Sequence, residues 1–252
     1  MALLEPIGPA AFANMLPGTE DIPDTLERWY RKTRRRALKK GDVATYHVGG
    51  EIPDNPFEER RVGNEPRRWL ASYGRIRVGK DLQRGFFLVV KEPPMFTALL
   101  PSLVQRFPVF AIVRNPLAVL ASWNSVYIPA RRGRVPKAER FDPELTRRLV
   151  AIDGRVERQL CLLDWWCERF KRFLPARNII RYEDIVASGG KALATIVPRA
   201  RKHNEPLSAR NANSLYKQKD VAELGEKLLR GKGAYWQFYP RDSVEDLLSR
   251  FA

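Results

Sequence analysis

Two short, uninterrupted apolar runs constrain this chain more than any other feature. Phe86-Phe87-Leu88-Val89-Val90 and Val109 to Val113 read as strands buried on both faces. Lys91-Glu92-Pro93-Pro94 breaks the first run, and Phe96 to Arg106 then carries Leu99, Leu100, Leu103 and Val104 at helical spacing. Arg114-Asn115-Pro116 turns out of the second run, and Pro116 suits the first position of a helix that continues from Leu117. Strand, helix and strand in this order predict a βαβ unit and hence a parallel sheet. Ligands of such sheets sit beyond the carboxyl ends of the strands. Lys91, Glu92, Arg114 and Ser122 fall there.

These residues carry a resemblance. The stretch Phe86 to Ser125 is similar to the sulfotransferases that use 3′-phosphoadenosine 5′-phosphosulfate (PAPS). Their 3′-phosphate motif, RxPxxxxxS, separates Arg and Ser by eight positions, the interval kept by Arg114 and Ser122. The family's Lys-x-x-x-P element stands about as far upstream of the Arg as Lys91 does. Downstream, Ile179-Ile180-Arg181-Tyr182-Glu183-Asp184 resembles the family's strand ending in YED.

The resemblance implies a P-loop-NTPase-like parallel sheet flanked by helices, and sulfuryl transfer from PAPS, the cosubstrate, to a hydroxyl or amine. Arg114 and Ser122 would bind the 3′-phosphate, Tyr182 would approach the adenine, and Lys91 would lie near the transferring group. Glu5 or Glu92 would be the general base, and no metal is required. Arg230 and Lys232, in Leu229 to Trp236, resemble the family's late Arg-Lys-Gly…Trp segment at a different spacing. The chemistry of these residue types fits: Arg offers phosphate a planar fork, and a hydroxyl near a helix's positive end adds a donor.

The family's first strand and its PxSGTT-type 5′-phosphosulfate loop should precede a segment like Leu3-Leu4-Glu5-Pro6, and here Met1 precedes it almost at once. In the family that strand is central, so the sheet is expected to carry unpaired backbone groups between its third and fourth strands. Two accounts are open: a start at an internal Met of a longer reading frame, which is preferred, or a member that closes its sheet differently and cannot transfer sulfate.

The 252 residues suit one α/β domain spanning 1–252. Lys plus Arg number 45 against 29 acidic residues, a formal charge of +16, which points to an anionic partner. A small-molecule or glycan acceptor is expected. Nucleic acid is the alternative, on a basic helix Asp24 to Lys40 with Leu26, Trp29, Tyr30, Thr33 and Leu38 as its buried stripe. No run of apolar residues is long enough to span a bilayer, and the N-terminus has no basic leader, so a cytoplasmic protein is expected. Cys161 and Cys167 read as buried thiols of a reducing compartment, and with His47 and His203 they make a zinc site improbable.

The remaining segments read as follows. Val43 to Val48 is a strand and Pro66 to Tyr73 a short helix. Gly74 to Asp81 matches GxxxxGK but has Asp81 where a magnesium-binding hydroxyl belongs, after a helix rather than a strand, and is a chance match. Ser125 to Arg140 is a Gly/Pro-punctuated loop, either solvated or a lid over the acceptor. Asp142-Pro143 caps a helical region broken near Gly154, with Val156, Leu160, Leu163, Trp166, Cys167 and Phe170 as core, and Val244 to Phe251 is a terminal helix.

Overall fold

The computed structural model describes residues 1–8, 13, 21–63, 65–79 and 81–251. Its order is β1 (Ala2–Leu4), α1 (Ile22–Lys40), β2 (Asp42–His47), β3 (Ser72–Arg77), β4 (Val89–Lys91), α2 (Pro93–Ala98), α3 (Leu100–Leu103), β5 (Ala111–Val113) and α4 (Pro116–Ser125). There follow α5 (Pro136–Glu139), α6 (Pro143–Val150), α7 (Arg155–Phe173), β6 (Ile179–Arg181), α8 (Tyr182–Ala187), α9 (Gln218–Arg230) and α10 (Asp242–Ser249), with short 3₁₀ turns between some of them. The fold is mixed α/β with small parallel sheets.

The two apolar runs become β4 and β5, each shortened to three residues. Both pair in parallel, but not with each other. β4 pairs with β1, Leu3 opposite Val90, and β5 pairs with β6, Ile112 opposite Ile180. Val89 N donates to Met1 O and Lys91 O accepts from Glu5 N, so both residues face β1. By the alternation of a parallel ladder, Val90 directs its N–H and C=O to the opposite edge. Among the described residues that edge has no strand partner. Ile112, in the middle of β5, is 55 % exposed. The two parallel pairs are therefore separate ladders, with no strand joining β4 to β5 among the described residues.

β1 is held from its other side by one side chain. The buried Thr45 hydroxyl of β2 donates to Leu4 O (3.0 Å) and accepts from Leu4 N (3.2 Å). β2 forms an antiparallel hairpin-like pair with β3, Tyr46 opposite Tyr73. This overturns the short helix expected over Pro66 to Tyr73. The β-branched and aromatic strand Val43 to Tyr46 needs a ladder partner, and pairing outweighs the local helical pattern. Gly74 lies inside β3 opposite Thr45, so a strand rather than a helix precedes Gly79, and no helix follows. Lys80 of the GxxxxGK match lies outside the described residues.

α1 begins at Ile22, not at Asp24. Asp21 occupies the cap position, and Asp24 joins it in binding Arg106. Gly41, at φ 64°, ends the helix in the left-handed conformation that glycine adopts without strain. The buried positions are Leu26 and Ala37, while Leu38 is exposed, one residue out of phase with the stripe. Two cations of the basic face are spent inside the molecule. Arg34 donates to the carbonyls of Phe86 (2.7 Å) and Arg84 (2.9 Å) and stacks on Phe86, and Arg36 pairs with Asp42.

α6 and α7 break at Gly154 as expected. Leu162 and Trp165 are buried beside Val156, Leu163 and Cys167, so the core face of α7 is wider than one stripe. Asp142 fastens this layer. It caps α6 by accepting from Leu145 N (3.0 Å), accepts from the Trp165 indole (2.9 Å) and pairs with Arg169 (3.3 Å). Arg169 in turn donates to the Thr97 and Ala98 carbonyls at the end of α2 (2.7 and 2.6 Å). Asp142→Ala removes a cap and strands a half-buried guanidinium, so a loss of about 2–4 kcal/mol is expected. Urea unfolding followed by circular dichroism would measure it, and an unchanged midpoint would refute this role.

Candidate functional site

β1 and β4 run parallel, so their carboxyl ends meet and bring Glu5 and Glu92 together. Lys137 reaches both, at 2.7 Å from Glu5 Oε2 and 2.7 Å from Glu92 Oε1. The lysine comes from the segment expected to be a solvated loop or a lid. That segment is instead folded into a 3₁₀ turn and α5, with Ala130, Val135 and Ala138 buried. Buried Glu139 fixes it by binding the Arg134 guanidinium and the Val135 amide (2.6 Å).

The electrostatics of the triad follow from its count of charges. One ammonium cannot neutralise two carboxylates, and Glu92 is the more deeply placed at 2 % exposure. Burial raises its pKa from 4.5 to about 7, against the pull of Lys137. Lys137 itself is raised, because its two carboxylates outweigh its own desolvation. Glu92 Oε2 is buried and has no hydrogen-bond partner. Glu5 holds a positive φ of 41°, a conformation that costs a non-glycine residue about 1–3 kcal/mol. Its amide bond to Lys91 O (2.8 Å) and its ion pair keep it there. Lys91 is exposed beside this mouth.

A second mouth opens at β5 and β6. Arg114 follows β5 and lies over the ring of Tyr182, which follows β6, at 4.9 Å. Its guanidinium donates to Asn211 Oδ1 (2.8 Å), to the Arg210 carbonyl and to the Tyr216 hydroxyl (3.3 Å). Tyr182 does not end the strand but opens α8, and its hydroxyl accepts from Arg210 N (3.1 Å). Asn115 caps α4 by accepting from Leu117 N (3.0 Å) and Ala118 N, and Ser122 lies two turns into that helix, half-buried.

Glu183 is a tie rather than a reacting group. It accepts from Asn115 N (3.1 Å), Asn211 Nδ2 (2.8 Å) and the Tyr239 hydroxyl, and these donors hold its pKa low despite burial. Arg230 is exposed and pairs with Glu226 one turn earlier on α9. Lys232 is exposed on the following turn, whose Gly231 carbonyl is held by the Trp236 indole (2.9 Å) and by Arg241 (2.8 Å). Neither is bonded to Arg114 or its neighbours. Asn211 and Tyr216 have no signal in the sequence, and Lys137 stands out there only as one cation, with Arg131, Arg132 and Arg134, of the 125–140 segment. Lys137 stands 132 positions from Glu5, and only the fold joins them.

The raised carboxyl has a pH signature. Glu92 holds its proton in the folded state up to about pH 7 but releases it near 4.5 when unfolded. Between those values the folded state binds more protons, so its stability falls as pH rises; below them the group contributes nothing. The drop expected is on the order of 3 kcal/mol across the window. Denaturant unfolding of Glu92→Gln at pH 4.5, 6 and 7.5 should show that part of the drop removed, and a curve parallel to wild type would contradict the assignment. Comparison with protein-family models, curated proteins and solved structures finds no match.

Proposed function

We propose that the protein is a sulfuryl transferase on a P-loop-NTPase-like fold, using PAPS as cosubstrate and a hydroxyl or amine of a small molecule or glycan as acceptor. One observation carries the reading: two parallel strand pairs present their carboxyl ends with complementary chemistry, in the order the sequence resemblance implies. A carboxylate of depressed acidity stands on β4, and a guanidinium stacked on an aromatic ring spans β5 and β6.

The division of labour follows. The Arg114 fork and Ser122 take the 3′-phosphate, and the ring of Tyr182 flanks the adenine. Among the described residues Arg114 Nη1 makes no hydrogen bond, whereas Nε and Nη2 must exchange Asn211 and the Arg210 carbonyl for phosphate oxygens. Glu92 is assigned as the base because its pKa lies near neutrality. The base takes the acceptor's proton, the acceptor atom bonds to sulfur, the bond from sulfur to the phosphate oxygen breaks, and 3′,5′-adenosine bisphosphate leaves. Lys137 and Glu5 position Glu92, and Lys91 compensates charge on the moving group. As in phosphoryl transfer, such catalysis is mainly positioning and charge stabilisation. An anionic acceptor suits a chain of net charge +16. The nucleic-acid reading is less favoured because Arg34 and Arg36 of α1 are committed to internal partners.

Isothermal titration with 3′,5′-adenosine bisphosphate tests the nucleotide half. Wild type should bind, and Arg114→Ala should lose about 2–4 kcal/mol of binding free energy, some thirtyfold or more. Equal heats for the two proteins, or none for wild type, would overturn the site.

A further inference from the structure

The outward face of α1 carries a row of cations that the fold does not use. Arg28, Lys32, Arg35 and Lys39 stand at intervals of four, three and four, so they line one side of the helix over about 16 Å. All four are exposed. Among the described residues none of them forms an ion pair, and Arg28 donates only to the Thr25 hydroxyl (2.9 Å). The two acids of the helix are taken by other partners, Asp24 by Arg106 and Glu27 by Arg31. The core takes the opposite side, where Leu26 and Ala37 are buried.

Apolar side chains stand beside this row. Leu38, 38 % exposed, follows Arg35 by three positions and Arg34 by four, so it lies between the cationic row and the side on which Arg34 works. There Arg34 fastens the loop before β4, donating to the carbonyls of Arg84 (2.9 Å) and Phe86 (2.7 Å) with its guanidinium 4.3 Å from the Phe86 ring. The fastened loop exposes Arg84 and Phe87, the latter by 49 %. Asp81 is the one acid of its residues 81–88.

One exposed cation is solvated, and one exposed leucine is ordinary on a protein surface. The combination narrows the partner. A soluble polyanion would engage the row and gain nothing from Leu38 and Phe87, and an apolar partner would have to strip water from the cations. The headgroup region of an anionic bilayer takes both, cations among the lipid phosphates and apolar side chains at the acyl boundary. We propose that this face docks the protein on an anionic membrane surface, through Arg28, Lys32, Arg35 and Lys39 with Leu38 and Phe87 at its edge. α1 stays packed on its own core, so the attachment is peripheral and weakens as salt rises. None of these residues belongs to either mouth, and the surface stands whether or not sulfuryl transfer is the protein's reaction.

The test is co-sedimentation of the full chain with vesicles of phosphatidylcholine, with and without phosphatidylserine, over a series of salt concentrations. Wild type should pellet with the serine-containing vesicles only, and release as salt rises. Each cation removed should weaken attachment about fivefold, so Arg28→Gln/Arg35→Gln/Lys39→Gln should bind on the order of a hundredfold more weakly. Arg199→Gln/Arg201→Gln/Lys202→Gln takes the same charge from an exposed turn elsewhere and should change binding by less than about threefold. Leu38→Gln/Phe87→Ser, which keeps every charge, should lose at least about fivefold on vesicles while binding a short DNA duplex as wild type does. All three variants alter exposed side chains and should melt at the wild-type temperature. Equal pelleting with the two kinds of vesicle, or equal losses in the two triple variants, would overturn the proposal. Wild-type attachment of Leu38→Gln/Phe87→Ser would overturn it as well, and would leave a soluble polyanion as the occupant of the row.

Discussion

A single ammonium shared by two carboxylates ties this structure together. Glu5 is the last residue of the first strand's course, Glu92 caps the turn out of β4, and Lys137 lies on a helical turn far along the chain. Each alone is unfavourable where it stands. Glu92 is buried, Glu5 is conformationally strained, and Lys137 has lost much of its water. Together they offset most of these costs, and the residual negative charge is the reason Glu92 resists ionisation. The ion triad therefore fixes the 126–140 segment over the β1–β4 mouth and sets the acidity of that mouth at once.

The elements that sequence conveyed well were those set by local chemistry. Gly41 stops α1 because its left-handed backbone suits glycine, Asp142 and Pro143 start α6, and the apolar runs make strands. What it conveyed badly was decided by pairing across the chain. Pro66 to Tyr73 has a helical pattern, yet β2 captures its end as β3. Leu38 matches a helical stripe by composition, but the phase fixed by Leu26 buries Ala37 instead. The same holds for the site. Arg114, Tyr182, Glu5 and Glu92 lie at strand ends and were visible from the strand pattern, and the fold brings them together as two pairs. Lys137, Asn211 and Tyr216 come from helical turns and loops whose approach no periodicity encodes.

The lack of a shared ladder between β4 and β5 has a consequence for stability. Unpaired peptide groups in the middle of a sheet were expected to cost about 1–3 kcal/mol each if buried. Here Val90 is half-buried and Ile112 largely exposed, so water reaches the bordering edges and that cost is reduced. It is exchanged for apolar exposure, since β-strand side chains that a continuous sheet would bury face solvent. Each pair is then fastened by single polar contacts. Thr45 holds Leu4, and the one proton of the Tyr239 hydroxyl is shared between Val113 O (3.2 Å) and Glu183. Two small pairs so fastened keep their carboxyl ends in place without a ladder joining them.

The excess of positive charge is not spread evenly, and part of it is spent on holding the fold together. Arg34, Arg36, Arg134, Arg169 and Arg241 have each found carbonyls or carboxylates, and they fasten α1, α5, α7 and the turn after α9. Arg67 is held less completely: it is nearly sealed from water, its Nη1 donates to the Glu58 carbonyl (3.0 Å) and its buried Nε has no partner among the described residues. A surface cation left alone is solvated and signifies little. A buried one is held only by the partners it reaches, as Arg169 is by Asp142 and by the Thr97 and Ala98 carbonyls. Net charge by itself therefore identifies no partner, because each cation has to be read from what it touches.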